Sequence, residues 1–202
     1  MSTIRYYLFL PEETSRLSAT QFLSSLDDLG WSVDPVIHFS SFDSAGMPLA
    51  WSSKSVLPER LPLFVDETSQ ANMLIQGLLA HPVLPMSFSI GGHDLPLISL
   101  QHERKYLDRL PPEKAAQIED LIAKVALDSG AHDVLSVDDP PEWLELRAVC
   151  IDGIWSVDLD SNVAIPPDRI EVWTLSGQKS RLDVAWHPKL SRQRGSYEVF
   201  TR

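Results

Sequence analysis

The chain has 202 residues, 44% hydrophobic and 22% charged, with a formal net charge of −11. That length fills one core and is short for two, and the apolar content argues against wholesale disorder. The charge excludes general binding to nucleic acid or to anionic membrane, which needs clustered Lys and Arg. No apolar stretch approaches the roughly 20 residues of a membrane span.

Ile4–Leu10 is a run of aromatic, aliphatic and β-branched residues before Pro11, which predicts a strand buried on both faces. Ser18, with Gln21 three residues on, forms a capping box. It opens a helix carrying Phe22, Leu23, Leu26 and Leu29, with Gly30 at the C-terminal end. Val33–Phe39 reads as a second strand. Residues 40–62 hold Gly46, Pro48, Pro58 and Pro62 around Trp51 and read as a long loop. Pro62–Val65 reads as a short strand or extended lead-in. Thr68–Ala80 reads as a helix with Ala71, Leu74, Ile75, Leu78 and Leu79 on one face. Met86–Ile90 is a strand ended by Gly91-Gly92.

Ser99–Leu110 reads as a helix of mixed charge. Pro111-Pro112 separates it from a second helix, which starts at Pro112 and runs to Asp128 on an apolar stripe of Ile118, Leu121, Ile122 and Val125. The last third changes character. Asp152-Gly153 is a strong two-residue hairpin signal between Glu142–Ile151 and Ile154–Asp160. A turn there places Leu144, Leu146, Ala148, Cys150, Trp155, Val157 and Leu159 on one face. It also sets Arg147 opposite Asp158, an oppositely charged cross-strand pair, and turns Glu145, Asp158 and Asp160 outward. Arg169–Leu175, Arg181–Trp186 and Tyr197–Thr201 read as further strands. The expected fold is α+β. It has an antiparallel-rich sheet with about four helices packed on it and a C-terminal third mostly of strands, in one domain over 1–202 with a conceivable subdivision near 130–141.

The single cysteine, Cys150, excludes an intrachain disulfide and a thiolate metal cluster. It fits a reducing compartment. No basic segment followed by an apolar run and a small-residue cleavage site opens the sequence, so the expected location is cytoplasmic. The His93-Asp94 and His132-Asp133 pairs are candidate metal or acid–base groups. Neither has a second histidine at helical spacing, and local hydrogen bonding is the simpler reading of both. Asp158, Asp160 and Asn162 alternate like the start of a calcium loop, but Ala164 and Ile165 break the pattern. No nucleophile elbow and no phosphate-binding glycine loop is present. No metal and no cofactor is therefore expected.

Charge is uneven along the chain. Residues 128–160 carry nine acids against one base, while 161–202 are net positive. Asp138-Asp139-Pro140-Pro141-Glu142 reads as a rigid acidic turn beside Trp143. Trp155 and Trp186 read as core, and Trp51 and Trp143 as candidate contact residues. The expected function is an acidic intracellular protein-binding module, such as an inhibitor or immunity-type antidote of a basic partner that acts on nucleic acid. Its expected contact residues are Trp51, Asp138, Asp139, Glu142, Trp143, Glu145, Asp158 and Asp160. Two other functions fit the same sequence: an enzyme using His93 or His132 with nearby carboxylates, and a non-catalytic subunit of a larger assembly.

Overall fold

A computed structural model describes residues 3–12, 15–42, 49–68, 73–91, 96–140, 144–159, 170–184 and 189–201. The N-terminal half contains β1 (Ile4–Pro11), α1 (Ala19–Asp28), β2 (Ser32–Val33), β3 (Val36–Ser41), β4 (Ser52–Ser55), α2 (Leu61–Thr68), β5 (Met73–Ala80), β6 (Met86–Gly91) and β7 (Leu97–Glu103). It is followed by α3 (Lys105–Asp108), α4 (Pro112–Asp128), β8 (Ala131–Asp138), β9 (Ala148–Ile151), β10 (Ile154–Val157), β11 (Ile170–Leu175), β12 (Lys189–Arg194) and β13 (Tyr197–Thr201). Ten strands form one antiparallel path, β12-β13-β11-β8-β1-β7-β6-β5-β3-β4, and β2 adds to β5. The fold class is α+β, with the C-terminal third built mostly of strands.

The expected end signals hold at both long helices. The Ser18 hydroxyl accepts the Gln21 N–H at 3.2 Å, and Pro112 opens α4. Gly30 and Gly130 follow the two helices with φ near +90°, the left-handed geometry of a helix stop. β1 lies at the centre of the sheet, between β7 and β8. Its alternate residues therefore enter two separate cores. Tyr7 and Phe9 join the core beneath α1, α2 and α4, with Phe22, Phe88, Ile122 and Trp173. Tyr6, Leu8 and Leu10 join a second core on the opposite face, capped by Leu144, Ala148 and Trp155. The sheet is thus covered by helices on one side and partly by a β-hairpin on the other.

Several sequence expectations give way. Residues 73–80 are a strand, not a helix. β5 buries Ile75, Gly77 and Leu79 on one face, whereas on the other Leu74 is buried and Leu78 is 57% exposed; with an apolar residue on the solvated face, the run satisfies helical spacing as well. Gly77 decides the case physically. A Cβ there would stand 2.4 Å from the Phe88 ring, so the strand packs only because the side chain is missing. Residues 97–103 are a central strand buried on both faces, leaving only α3 as helix before α4. Residues 61–68 are helical rather than extended, and the expected loop 40–62 contains β4 and a 3-10 turn at Pro58–Arg60. The expected strand 33–39 divides at Asp34-Pro35. Residues 131–138, near the conceivable subdivision, form β8, which pairs with β1 and β11. Within 181–186, Leu182 makes one parallel bridge to Trp155, and Trp186 lies outside the described residues.

Candidate functional site

The hairpin forms around Asp152-Gly153 in the expected register, with Ile151 opposite Ile154 and Cys150 opposite Trp155. Asp152 and Gly153 both take positive φ, 49° and 76°, as a two-residue turn matched to strand twist requires. Trp155 is buried and its ring N–H donates to the Pro11 carbonyl at 2.9 Å. Its backbone is tied on both sides to residues 181 and 183. Cys150 is half-buried and packs against the second core. Arg147 and Asp158 approach to 3.9 Å, the expected cross-strand pair.

The strands of this hairpin are shorter than expected, and that changes the acidic segment. Residues 144–147 form a 3-10 turn, so strict alternation ends at Ala148. Glu145, expected on the outer face, is fully buried against β6 and β7. It accepts the Tyr6 hydroxyl and, at 2.7 Å, the Ser89 hydroxyl, which in turn sits 2.6 Å from the Ser99 hydroxyl. Burial pushes the Glu145 carboxyl above its ordinary range, against the opposing pull of those two hydrogen bonds.

Asp138 is also buried rather than presented. The pairing of β1 with β8 sets Arg5 beside it, and Arg5 donates to Asp138 at 3.0 Å and forms an ion pair with Glu171 at 2.8 Å. Arg104 donates to the other Asp138 oxygen. Burial raises the Glu171 carboxyl, but Arg5 and Arg192 outweigh it and hold the group below the usual range. Asp133 is buried too, accepting Thr174 at 2.7 Å, the Arg181 N–H at 2.8 Å and His132 at 3.0 Å. Part of the acidic concentration at 128–160 is therefore internal structure, which the sequence alone reads as surface.

Asp139, Asp158 and Trp51 are exposed. Asp139 also holds the start of β1, its carboxylate accepting the Ile4 N–H at 2.8 Å. Trp51 precedes β4 at the sheet edge, five strands from β1, about 24 Å away at the usual strand spacing. It therefore does not join the hairpin. Glu142, Trp143, Asp160, Asn162 and the His93-Asp94 pair lie outside the described residues. Among the described residues no three His, Cys, Asp or Glu side chains group as metal ligands, and no helix is long and apolar enough to cross a membrane.

The feature that sequence reasoning missed is the outer face of the hairpin. Val149, Ile151 and Ile154 are 37%, 65% and 42% exposed. A solvated face of an antiparallel pair is normally polar, so three aliphatic side chains at its tip stand out. Asp152 and Asp158 are exposed on the same hairpin, and Asp183 is exposed beside Trp155. The signal was present in the sequence as β-branched residues at both alternating sets of positions, which a one-faced strand does not need. No protein-family model, no curated protein and no solved structure matches this chain.

Proposed function

We propose that this chain is a non-catalytic protein-binding module that seats a basic partner on the outer face of the β9–β10 hairpin. The observation that carries the reading is the exposed aliphatic group Val149, Ile151 and Ile154 with acids at its margin. An apolar centre with a charged rim is the composition of a protein interface. The net charge of −11 would steer a basic partner toward it, and the rim acids would set the association rate. With a partner that acts on nucleic acid, such a module works as an intracellular inhibitor or immunity-type antidote. A cytoplasmic location belongs to the same proposal.

Capture from the native cell tests it, comparing the wild-type chain with Ile151→Ser/Ile154→Ser. The wild type should retain one stoichiometric basic protein, and the double variant should bind it at least about tenfold more weakly, through faster dissociation. Asp152→Asn/Asp158→Asn should slow association and flatten its salt dependence. Equal retention by the wild type and the aliphatic variant would remove the hairpin from the function.

A further inference from the structure

β4 is the last strand of the sheet path, at the end opposite β12, and among the described residues it pairs with β3 alone. All four of its residues are exposed. The register sets Ser55 opposite Val36, Lys54 opposite Ile37 and Ser53 opposite His38. Just beyond the strand, the Val56 N–H donates to the Pro35 carbonyl at 2.8 Å, in step with that register. Hydrogen-bonded pairs alternate along an antiparallel ladder, so Lys54 bonds to β3 while the backbone N–H and C=O of Ser53 and Ser55 point away from it. Among the described residues no hydrogen bond reaches those four groups. β4 therefore presents two donors and two acceptors at the spacing a further strand would use.

The helix-covered face gives this edge a second feature. Lys54 shares that face with buried Ile37, and its Nζ lies 4.9 Å from the centre of the Phe64 ring of α2. A cavity of about 190 Å³ opens between the end of β4 and α2, with Lys54, Val56, Leu57, Arg60, Leu63 and Phe64 in its wall. Leu57 and Leu63 are 60% and 55% exposed. Small-molecule pockets typically hold about 300–1,000 Å³, so this space suits one anchored side chain rather than a whole ligand or cofactor. An apolar slot beside a bare strand edge is how an added strand is recognised. Backbone hydrogen bonds hold the strand, and the slot selects among its alternate side chains.

We propose that β4 takes up an extended segment of a partner protein as an additional strand, with one apolar side chain in this cavity and an acidic residue beside Lys54. Charge decides the occupant. Among the described residues neither Lys54 nor Arg60 forms an ion pair, and Glu59, exposed next to Arg60, does not line the cavity. A second copy of the chain fits badly. Every antiparallel pairing of two β4 strands through Ser53 and Ser55 sets the two Lys54 side chains opposite or diagonal on one face, like charges within about 8 Å. A lysine on a short edge strand guards against such self-pairing. A segment with Glu or Asp at that position turns the same lysine into a cross-strand partner. The net charge of −11 does not forbid it, because exposed charges more than about 8 Å away are largely screened at physiological salt.

Calorimetry of the intact chain with synthetic heptapeptides tests the proposal. The peptides have Thr at every odd position, Glu in the centre and one apolar residue, Leu, Ile, Val, Phe or Tyr, on either side of the central Thr-Glu-Thr. At least one should bind saturably with a Kd below about 1 mM. N-methylation of the two Thr residues flanking Glu removes the backbone donors that meet Ser53 and Ser55, and should weaken binding at least about tenfold on the unaltered protein. Leu63→Ser, in the cavity wall, should also weaken it. Ser55→Pro removes one outward donor that the sheet does not use, and should weaken binding several-fold. Lys in place of the central Glu should bind more weakly to wild type, and Lys54→Glu should reverse that preference, which a lysine serving only to guard the edge would not do. The proposal is overturned if no peptide binds below about 1 mM, if the N-methylated peptides bind as tightly as their parents, or if Lys54→Glu leaves the preference for Glu unchanged. It is equally overturned if the chain dimerises in sedimentation and Ser55→Pro dissolves the dimer, since the edge would then belong to a second copy.

Discussion

Glu145 shows how far one residue can depart from its neighbours' pattern. Its carboxylate sits among Tyr6, Ser89 and Ser99 with no cation in hydrogen-bonding reach among the described residues. Its folded-state pKa is raised by burial, so the neutral acid is the form the fold prefers. A raised folded pKa gives stability that is fully present below the unfolded value, about 4.3, and is lost as pH rises through the folded one. Glu145→Gln keeps an acceptor for Tyr6 and removes the titration. Relative to wild type, the variant should gain stability as pH rises above the unfolded value and level off once pH has passed the folded pKa, in thermal melts from pH 4 to pH 8. A constant difference across that range would show that burial does not raise the Glu145 pKa above its unfolded value. Glu145→Ala strands two buried hydroxyls and should cost about 1–3 kcal/mol.

Elements were legible where the chain carries explicit punctuation. Ser18 with Gln21, Pro112 with Gly130, and Asp152-Gly153 all mark ends by local chemistry, and each is found where expected. The hairpin turn permits a sharp check. Gly153 has φ +76°, which costs an L-residue about 1–2 kcal/mol, so Gly153→Ala should lower unfolding stability by that amount. Asp152→Asn, which tolerates φ +49° equally well, should be near neutral in the same denaturant titration. β5 and β7 lacked punctuation of this kind. β7 is buried on both faces, and β5 carries Leu78 on its exposed face, so neither apolar run shows the alternation that distinguishes strand from helix. Gly77 was the available clue, since a mid-helix glycine is unfavourable and a close strand contact needs one.

At the scale of the whole molecule, charge is organised by the sheet. Arg5 on the central strand bridges Asp138 of β8 and Glu171 of β11, so three adjacent strands share one buried ion cluster. Removing its cation leaves two carboxylates inside the protein with fewer donors. Arg5→Met should therefore cost about 3–5 kcal/mol in chemical unfolding. Replacing all three members with apolar residues of similar volume should cost less, because the cations then left, Arg104 and Arg192, are partly exposed to solvent. The cluster withdraws Asp138 from solvent, as separate hydrogen-bond sets withdraw Asp133 and Glu145, so the segment 128–160 presents fewer acids than its composition implies.

By itself the sequence determined the two long helices, the strands β1, β6, β11 and β13, the hairpin register and the inward face with Trp155. Each follows from contacts within a few residues: a cap, a turn dipeptide, an alternating run. It did not determine which acids are surface. Asp138 and Asp139 are neighbours in sequence, yet one is buried under two arginines and the other is exposed at the start of β1. That difference depends on Arg5 lying 133 positions away, brought alongside by the antiparallel register of β1 and β8. A cavity lined by Arg5, Arg104, Arg192 and Arg194 has the same origin. Its four guanidiniums come from β1, the β7–α3 junction and β12, and only the order of strands in the sheet brings them to one wall. Pairing between distant strands is decided by global packing, and no local signal encodes it.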